Sequence, residues 1–187
     1  PMYTITGKKR LAKGVVEMTV LAPRVAKNHK PGQFLMVMND EKGERVPLTI
    51  ADSDPAKGEV TLVFLEVGRS TLQLGEEFEV GDALFAITGP LGTPTHIDNY
   101  GTVVLLGGCY GIGAHIANAK ALKAAGNHVI LIVEARSHYL HYYQEELASV
   151  ADEFIASTID GSNGVKGHSI DVLLRRLKTG AKVDRVI

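Results

Sequence analysis

The apolar positions of this chain follow two different patterns, and the change falls near residue 100. Up to Pro90 they form short β-branched or aromatic runs, such as "VVEMTVLAP", "QFLMVMND" and "EVTLVFLEV", separated by turn sequences such as "KPG" and "DPAKG". Short strands at roughly regular spacing predict an antiparallel barrel or sandwich. One short helix is expected over residues 70–75, "STLQLG", which begins with a residue type suited to an N-cap.

After Gly101 the pattern becomes strand followed by helix. Near-continuous apolar runs such as "TVVLLGG" and "HVILIVEA" alternate with amphipathic segments such as "IGAHIANAKALKAAG" and "HSIDVLLRRLKTG". This alternation is typical of a parallel sheet with helices on both faces. Gly126 and Gly180 stand where two of the predicted helices should end.

The two patterns predict two domains. We expect a β-barrel over residues 1–94 and an α/β domain over residues 101–187, joined by a linker at residues 92–101. The sequence ends at Ile187, inside a predicted buried strand. We therefore expect the α/β domain to continue beyond this residue.

The amino-acid composition argues against several classes of function. The formal net charge is -1 and 22% of residues are charged, so the chain lacks the basic balance of a nucleic-acid-binding protein. A single cysteine, Cys109, leaves too few thiols for a disulfide framework or a zinc or iron–sulfur site within this chain. No apolar run approaches the roughly 20 residues that cross a bilayer. We expect a cytoplasmic protein that binds no metal, nucleic acid or membrane.

A glycine-rich turn follows the first predicted strand of the second half. In "LLGGCYGIGA", residues 105–114, four glycines precede a predicted helix, where glycines let a backbone approach a pyrophosphate. Their spacing is not the dinucleotide fingerprint. Glu134 ends the next strand, where a carboxylate can accept hydrogen bonds from a ribose, and Arg136 could contact a 2′-phosphate. A nicotinamide-nucleotide fold and a methyltransferase-like transferase both remain open at this point.

Two motifs in the first half suggest a phosphate site. In "RVPLTIAD" the strand alternation puts Arg45, Pro47 and Thr49 on one face, and the proline predicts an edge, a bulge or a strand start. In "VGRST", Gly68 begins a predicted helix whose free N–H groups and hydroxyls can bind a phosphate. Each motif alone also fits an ordinary strand or a simple helix cap.

The order of these motifs resembles the ferredoxin–NADP reductase superfamily. "RVPLT", "VGRST", "GPLG" at residues 89–92, the glycine turn and the parallel sheet follow one another as in that family. Within it, "KPGQF", "EVGRST" and "DGSNGVKG" are most similar to the branch that contains the dihydroorotate dehydrogenase electron-transfer subunit. The same branch contains the small subunit of NADH-dependent ferredoxin:NADP oxidoreductase, also called sulfide dehydrogenase.

The resemblance implies FAD on the barrel and NAD(H) or NADP(H) on the α/β domain, with NAD favoured because Glu134 would repel a 2′-phosphate. Arg45 would hold the FAD phosphate, and Thr49 would hydrogen-bond near flavin N5 as the one catalytic residue. The other implied FAD-binding residues are Pro47, Leu48, Val63, Phe64, Leu65, Gly68, Ser70 and Thr71. The implied nucleotide-binding residues are Gly107, Gly108, Tyr110, Gly111, Ile112, Gly113, Glu134, Arg136, Asp160 and Gly161.

The family also implies electron transfer to an iron–sulfur centre, in a larger flavin and iron–sulfur subunit or in ferredoxin. A [2Fe–2S] group in the protein itself is expected only if a further C-terminal segment supplies its cysteines. The glycine turn departs from the family's usual Gly-Gly-Gly-x-Gly-x-Ala-Pro at Cys109, Gly113 and Ala114. A non-catalytic interaction or regulatory module that keeps the fold is therefore the remaining alternative.

One further cluster is assigned no site. "SHYLHYYQEEL", residues 137–147, offers two histidines and three tyrosines at mixed spacing before a predicted helix, and we interpret it as a surface cap. His115, in the helix after the glycine turn, is interpreted as a packing or solvent residue.

Overall fold

The computed structural model describes residues 3–187, without the side chains of Cys109 and Tyr110. The chain divides into two compact units, Pro1–Thr95 and His96–Ile187. Each unit has its own sheet, so each is described separately.

The first unit is an antiparallel sheet of seven strands in the order β6-β1-β2-β5-β4-β3-β7. Its strands are β1 (Tyr3–Ala12), β2 (Val15–Leu21), β3 (Phe34–Met38), β4 (Arg45–Asp54), β5 (Glu59–Leu65), β6 (Ala83–Leu84) and β7 (Ala86–Leu91). Two short helices interrupt them, α1 (Pro23–Asn28) and α2 (Arg69–Glu76). Helix α2 is predicted from the sequence, whereas α1 is not, because its six residues are too few for a helical period to show.

The sheet curls into a nearly closed barrel. β6 and β7 lie at opposite ends of the strand order, yet only Phe85 separates them along the chain. The two edges of the sheet must therefore meet. Inward-facing residues from the strands and both helices form one core, with Met18, Leu35 and Leu62 among its fully buried members. The predicted antiparallel barrel is confirmed.

The second unit is a parallel sheet of five strands in the order β11-β10-β9-β8-β12. Its strands are β8 (Thr102–Gly108), β9 (His128–Ala135), β10 (Glu153–Thr158), β11 (Val165–Lys166) and β12 (Arg185–Val186). Its helices are α3 (His115–Ala124), α4 (Gln144–Val150) and α5 (Ser169–Lys178), and 3-10 turns span Cys109–Ala114 and His138–Leu140. Gly126 and Gly180 follow α3 and α5 at positive φ, as predicted for helix ends.

The chain order of the parallel strands reverses beside β8. From β8 the chain moves outward through β9 and β10, and then α5 carries it back to β12 on the other side of β8. Ligands of open α/β sheets bind at such a switch point, beyond the carboxyl ends of the strands. A nucleotide site is therefore expected at the carboxyl ends of the strands beside β8.

Within residues 3–187, no helix is long and apolar enough to span a membrane. Within the same residues no group of at least three His, Cys, Asp or Glu side chains is arranged to hold a metal ion.

Candidate functional site

The outer face of the barrel carries an apolar patch where β3 and β4 run side by side. Phe34 pairs with Thr49, Met36 with Pro47, and Met38 with Arg45. Paired residues of an antiparallel ladder share a face, and their neighbours Leu35 and Leu48 point into the core. The outer row therefore consists largely of Phe34, Met36, Met38 and Pro47. Val63 on β5 pairs with Thr49 and shares this side, but it is itself buried, with 4% of its surface exposed.

An exposed face of an antiparallel sheet is normally polar. Here β3, "FLMVM", is apolar on both faces, and its outward residues are only partly buried by this chain. The unbroken apolar run of β3 is the sequence signal for this face, because such a run in an antiparallel sheet indicates that both faces are covered. A flat apolar ligand fits this outer face.

Strand β4 is open on one side along this patch. Its ladder to β5 begins at Thr49, whereas its ladder to β3 continues through Arg45. Pro47 thus lies on a stretch paired with β3 alone, in agreement with the edge position that its missing N–H predicts. The backbone of residues 45–48 faces the gap between β4 and β5.

Arg45 lies at the end of this gap, exposed, and its guanidinium donates to the Thr88 hydroxyl on β7, with Nη1 and Oγ1 3.1 Å apart. Its neighbour Glu44 accepts from the Ser70 hydroxyl at 3.5 Å, at the first turn of α2. The side-chain amide of Asn39 also donates to the Ser70 carbonyl at 2.9 Å. These contacts hold the start of α2 against the β3–β4 hairpin that carries Arg45.

The first turn of α2 presents groups of the kind that can bind a phosphate. Gly68 is its extended N-cap, and the Thr71 hydroxyl accepts from the amides of Val67 and Gly68 at 3.2 and 3.0 Å. The first amides of a helix have no intrahelical acceptor and carry the positive end of its dipole. An arginine and a free helix N-terminus are the donors that a pyrophosphate requires.

The predicted FAD residues divide between the two faces of the barrel wall. Arg45, Pro47, Thr49, Val63 and Leu65 share the outer side. Leu48 and Phe64 instead point into the core, where their exposed fractions are 5% and 3%. These two residues therefore offer a ligand on the outer face only their backbone. Ser70 is buried, and its hydroxyl is already engaged by Glu44.

In the α/β unit, the candidate residues lie at one edge of the sheet. The register places Gly108, Glu134 and Ser157 side by side at the carboxyl ends of β8, β9 and β10. Asp160 and Gly161 follow β10 directly, and Gly161 is in the left-handed region at φ 78°. The topology thus gathers residues that are up to 53 positions apart, from Gly108 to Gly161, at this edge of the sheet.

The glycines of the turn have different roles. A Cβ on Gly107 would overlap the imidazole of His115, so this glycine is needed for packing. Among the described atoms, and apart from its chain neighbours, a Cβ on Gly111 would meet nothing within 4 Å, and Gly108 is exposed. Ile112 is fully buried, and the Gly113 amide donates to Tyr142. The open backbone that could receive a phosphate is therefore that of residues 108–111; the predicted Tyr110 side chain lies outside the described residues.

Glu134 is engaged by the start of α5. Its Oε2 accepts from the amide and hydroxyl of Ser169 at 2.7 and 3.1 Å, and its Oε1 lies 3.1 Å from His168 Nδ1. Partial burial opposes ionisation, but these hydrogen bonds outweigh it and lower the pKa of Glu134. The carboxylate is thus ionised and held in place. Sequence reasoning missed this cap because its partners are 34 and 35 residues away.

Asp160 organises the neighbouring loop. Its Oδ1 accepts from the hydroxyl and amide of Ser162 at 2.6 and 2.9 Å, and the Ser162 hydroxyl lies 3.1 Å from that of Ser137. Hydrogen bonds from Ser162 and Ser137 lower the pKa of Asp160 to about 2. The exposed Arg136 is therefore followed by hydroxyls that already serve a carboxylate, rather than by free phosphate ligands.

The cluster interpreted as a surface cap is largely internal, so that interpretation is wrong for three of its members. His141, Tyr142 and Tyr143 are buried, whereas His138 and Tyr139 are exposed. The prediction failed because residue types and their spacing do not show that the three residues after the turn His138–Leu140 pack into the interior. His115 is buried as well, which lowers the pKa of its imidazole.

Comparison with known proteins agrees with both units. A scan against protein-family models found no match. The chain is 39% identical over 177 residues to a Thermotoga maritima homologue of the dihydroorotate dehydrogenase B (NAD(+)) electron transfer subunit. It is 30% identical over 177 residues to the Bacillus cereus (strain Q1) electron transfer subunit of that enzyme. These alignments cover 93% and 90% of this chain but 62% and 66% of the relatives, so the chain spans less than two thirds of their length.

A solved NADH-dependent reduced ferredoxin–NADP oxidoreductase superposes with a TM-score of 0.90 at 36% identity, over 95% of this chain and 64% of that one. Phthalate dioxygenase reductase, at 16% identity and a TM-score of 0.77, shares the fold over 100% of this chain and 59% of its own. The resemblance to the ferredoxin–NADP reductase superfamily is confirmed, and so is the predicted pair of barrel and parallel α/β sheet.

Proposed function

We propose that this chain, similar in sequence and fold to electron-transfer proteins of the ferredoxin–NADP reductase superfamily, is the flavin- and nicotinamide-binding part of such a protein. It would bind FAD on the barrel, take hydride from NADH, and pass electrons to an iron–sulfur partner. The observation that carries the proposal is the outer barrel face, on which an apolar row, an arginine and a helix N-terminus adjoin.

The residues present fit FAD. The ring system would lie against the outer row of β3 and β4, with the backbone of residues 45–48 available along the open side of β4. Arg45 and the first amides of α2 would bind the pyrophosphate, and the Thr49 hydroxyl would orient the ring. When bound, FAD would couple two-electron hydride transfer to single-electron transfer. The chain's own contribution is to bind and orient it.

The α/β unit would bind NADH in preference to NADPH. Glu134 is an ionised carboxylate fixed at the end of β9, where a ribose diol can donate to it. Asp160 adds a second negative charge beside the hydroxyls of Ser137 and Ser162. Two carboxylates at this edge disfavour a 2′-phosphate, although Arg136 is near in sequence. The open backbone at residues 108–111 would receive the pyrophosphate.

The names of the relatives suggest what kind of partner accepts the electrons. The names of the Thermotoga and Bacillus proteins describe an electron transfer subunit, which has to deliver electrons to a further protein. We propose that the acceptor is a larger flavin and iron–sulfur subunit or ferredoxin, in the cytoplasm. Because this chain has one cysteine, its residues cannot supply the four thiolates of an iron–sulfur cluster. Electrons must therefore leave to a centre held elsewhere.

The rival functions make different predictions. A methyltransferase-like protein would bind S-adenosylmethionine on the α/β unit and would not need the outer barrel face. The test is the absorption spectrum of the chain after reconstitution with FAD and removal of free flavin. We expect flavin bands at one FAD per chain. A colourless protein that is folded by circular dichroism would contradict the proposal.

A further inference from the structure

Tyr142 is hydrogen-bonded to the backbone of the glycine turn. Its hydroxyl accepts from the amide of Gly113, with N and O 3.2 Å apart in a buried setting, and the tyrosine is only 4% exposed. The bond joins residues 29 positions apart and brings the segment after β9 against the turn after β8. A buried amide is costly to leave without a partner, so this contact fixes the end of the turn.

The same segment is anchored on its other side. The side-chain amide of Asn163 lies 3.2 Å from His141 Nδ1 and donates to Gln144 Oε1 at 3.1 Å. Asn163 is itself held by Thr158, the last residue of β10, through its amide and carbonyl at 3.0 and 2.8 Å. Residues 141–144 therefore connect the glycine turn with the loop that carries Asp160 and Gly161.

The backbone of Tyr143 adopts an unfavourable conformation in this arrangement. Tyr143 is the one residue other than glycine at positive φ in the described chain, with φ 57°. L-residues rarely adopt this conformation, which persists only where the surroundings enforce it. It directs Tyr142 and Tyr143 into the interior, where their rings meet edge to face at 5.2 Å.

We propose that Tyr142 is a positioning residue for the nicotinamide nucleotide, and this inference rests on the function proposed above. Because the Gly113 amide is engaged by Tyr142, the phosphate donors of the turn are the earlier amides, at residues 108–111. Tyr142 holds the end of the turn through the Gly113 amide and so keeps those earlier amides aligned. Loss of its hydroxyl would leave the ring in the core but free the end of the turn.

The test compares Tyr142→Phe with Tyr100→Phe in the FAD-reconstituted protein. Tyr100 is the matched control: its hydroxyl is also hydrogen-bonded, to His96, but it lies before β8, at the opposite edge of the sheet. We expect Tyr142→Phe to raise the Kd and KM for NADH on the order of tenfold, the effect of one buried hydrogen bond, at unchanged kcat and FAD content. Amide exchange at Gly113 should accelerate, and Tyr100→Phe should behave as wild type in all five measurements.

Unchanged NADH affinity in Tyr142→Phe, with faster exchange at Gly113, would overturn the positioning role and leave the proposed function standing. Absence of NADH binding in the wild type would overturn both. If Tyr142→Phe does not fold, wild-type hydrogen exchange decides: Gly113 should exchange far more slowly than Gly111, and equal rates would overturn the inference.

Discussion

Gly107 and His115 pack so closely that any side chain at position 107 would overlap the imidazole ring. A Cβ on Gly111, four residues later in the same turn, would meet no described atom within 4 Å apart from those of its chain neighbours. Glycine is therefore suited to these two positions for different physical reasons. Gly107 is required by the protein's own core, whereas Gly111 leaves space on the side where a nucleotide would lie.

This contrast gives a paired prediction. Gly107→Ala should destabilise the protein by about 1–3 kcal/mol through overpacking against buried His115. Gly111→Ala should leave the free energy of unfolding unchanged and weaken NADH binding several-fold. Urea unfolding and NADH titration of both variants provide the check. Equal destabilisation by both variants, or undiminished NADH affinity in Gly111→Ala, would contradict the assignment.

Arg45→Ala should weaken FAD binding while the barrel stays folded. Loss of a charged hydrogen bond to phosphate costs about 1.5–3 kcal/mol, or roughly a ten- to hundredfold increase in Kd. Thr88→Val, which removes only the 3.1 Å contact that orients the guanidinium, should have a smaller effect in the same direction. Arg24→Ala, at an exposed arginine on α1, is the control. Stoichiometric FAD at wild-type affinity in Arg45→Ala would show that the phosphate binds elsewhere.

Glu134 should make stability depend on pH. Its pKa is lowered in the folded protein, so its contacts with α5 stabilise the fold above its ordinary pKa of 4.5. This contribution is lost as the pH falls through the lower folded value. Glu134→Gln should therefore be less stable than wild type at neutral pH, and the difference should shrink below pH 4.5.

Urea unfolding at a series of pH values measures this difference. Glu41→Gln, at an exposed turn residue, is the control and should match wild type throughout. A gap between wild type and Glu134→Gln that stays constant down to acid pH would mean that the carboxylate charge is not what stabilises α5.

Asp160→Asn should raise the affinity for NADPH and leave that for NADH nearly unchanged. Asparagine keeps an oxygen to accept from Ser162 but removes the charge that disfavours a 2′-phosphate. Asp98→Asn is matched, because Asp98 is also exposed and accepts from a backbone amide, but it precedes β8. Competition binding of the two nucleotides gives the ratio. Unchanged discrimination in Asp160→Asn would remove Asp160 from the specificity argument.

The periodicity of the sequence was sufficient for the class of each half, antiparallel β and then parallel α/β, whereas the choice of a barrel over a sandwich came from the family resemblance. Short alternating strands before residue 100 and longer apolar strands after it are local signals, and both sheets follow from them. Helix α1 was missed because it is short and its existence depends on packing of Val25 and Ala26 against the barrel core. Local pattern reasoning does not detect such tertiary stabilisation.

Only part of the arrangement of the candidate site follows from the sequence. Motif order leads to the prediction of Arg45, Thr49 and the glycine turn as site residues, which stays a prediction, but it does not show which way neighbouring side chains point. Leu48 and Phe64 face the core because strand alternation, once the register is known, leaves them no other side. The contacts of Glu134 with Ser169 and of Tyr142 with Gly113 join distant segments, and such pairs follow from the folded topology rather than from spacing.

Anaerobic titration of the FAD-reconstituted chain with NADH tests the central claim most directly. The account predicts that NADH bleaches the flavin absorption stoichiometrically, and that NADPH does so only at much higher concentration. Bound FAD that neither nucleotide reduces would contradict it and favour a module that keeps the reductase fold without its electron transfer.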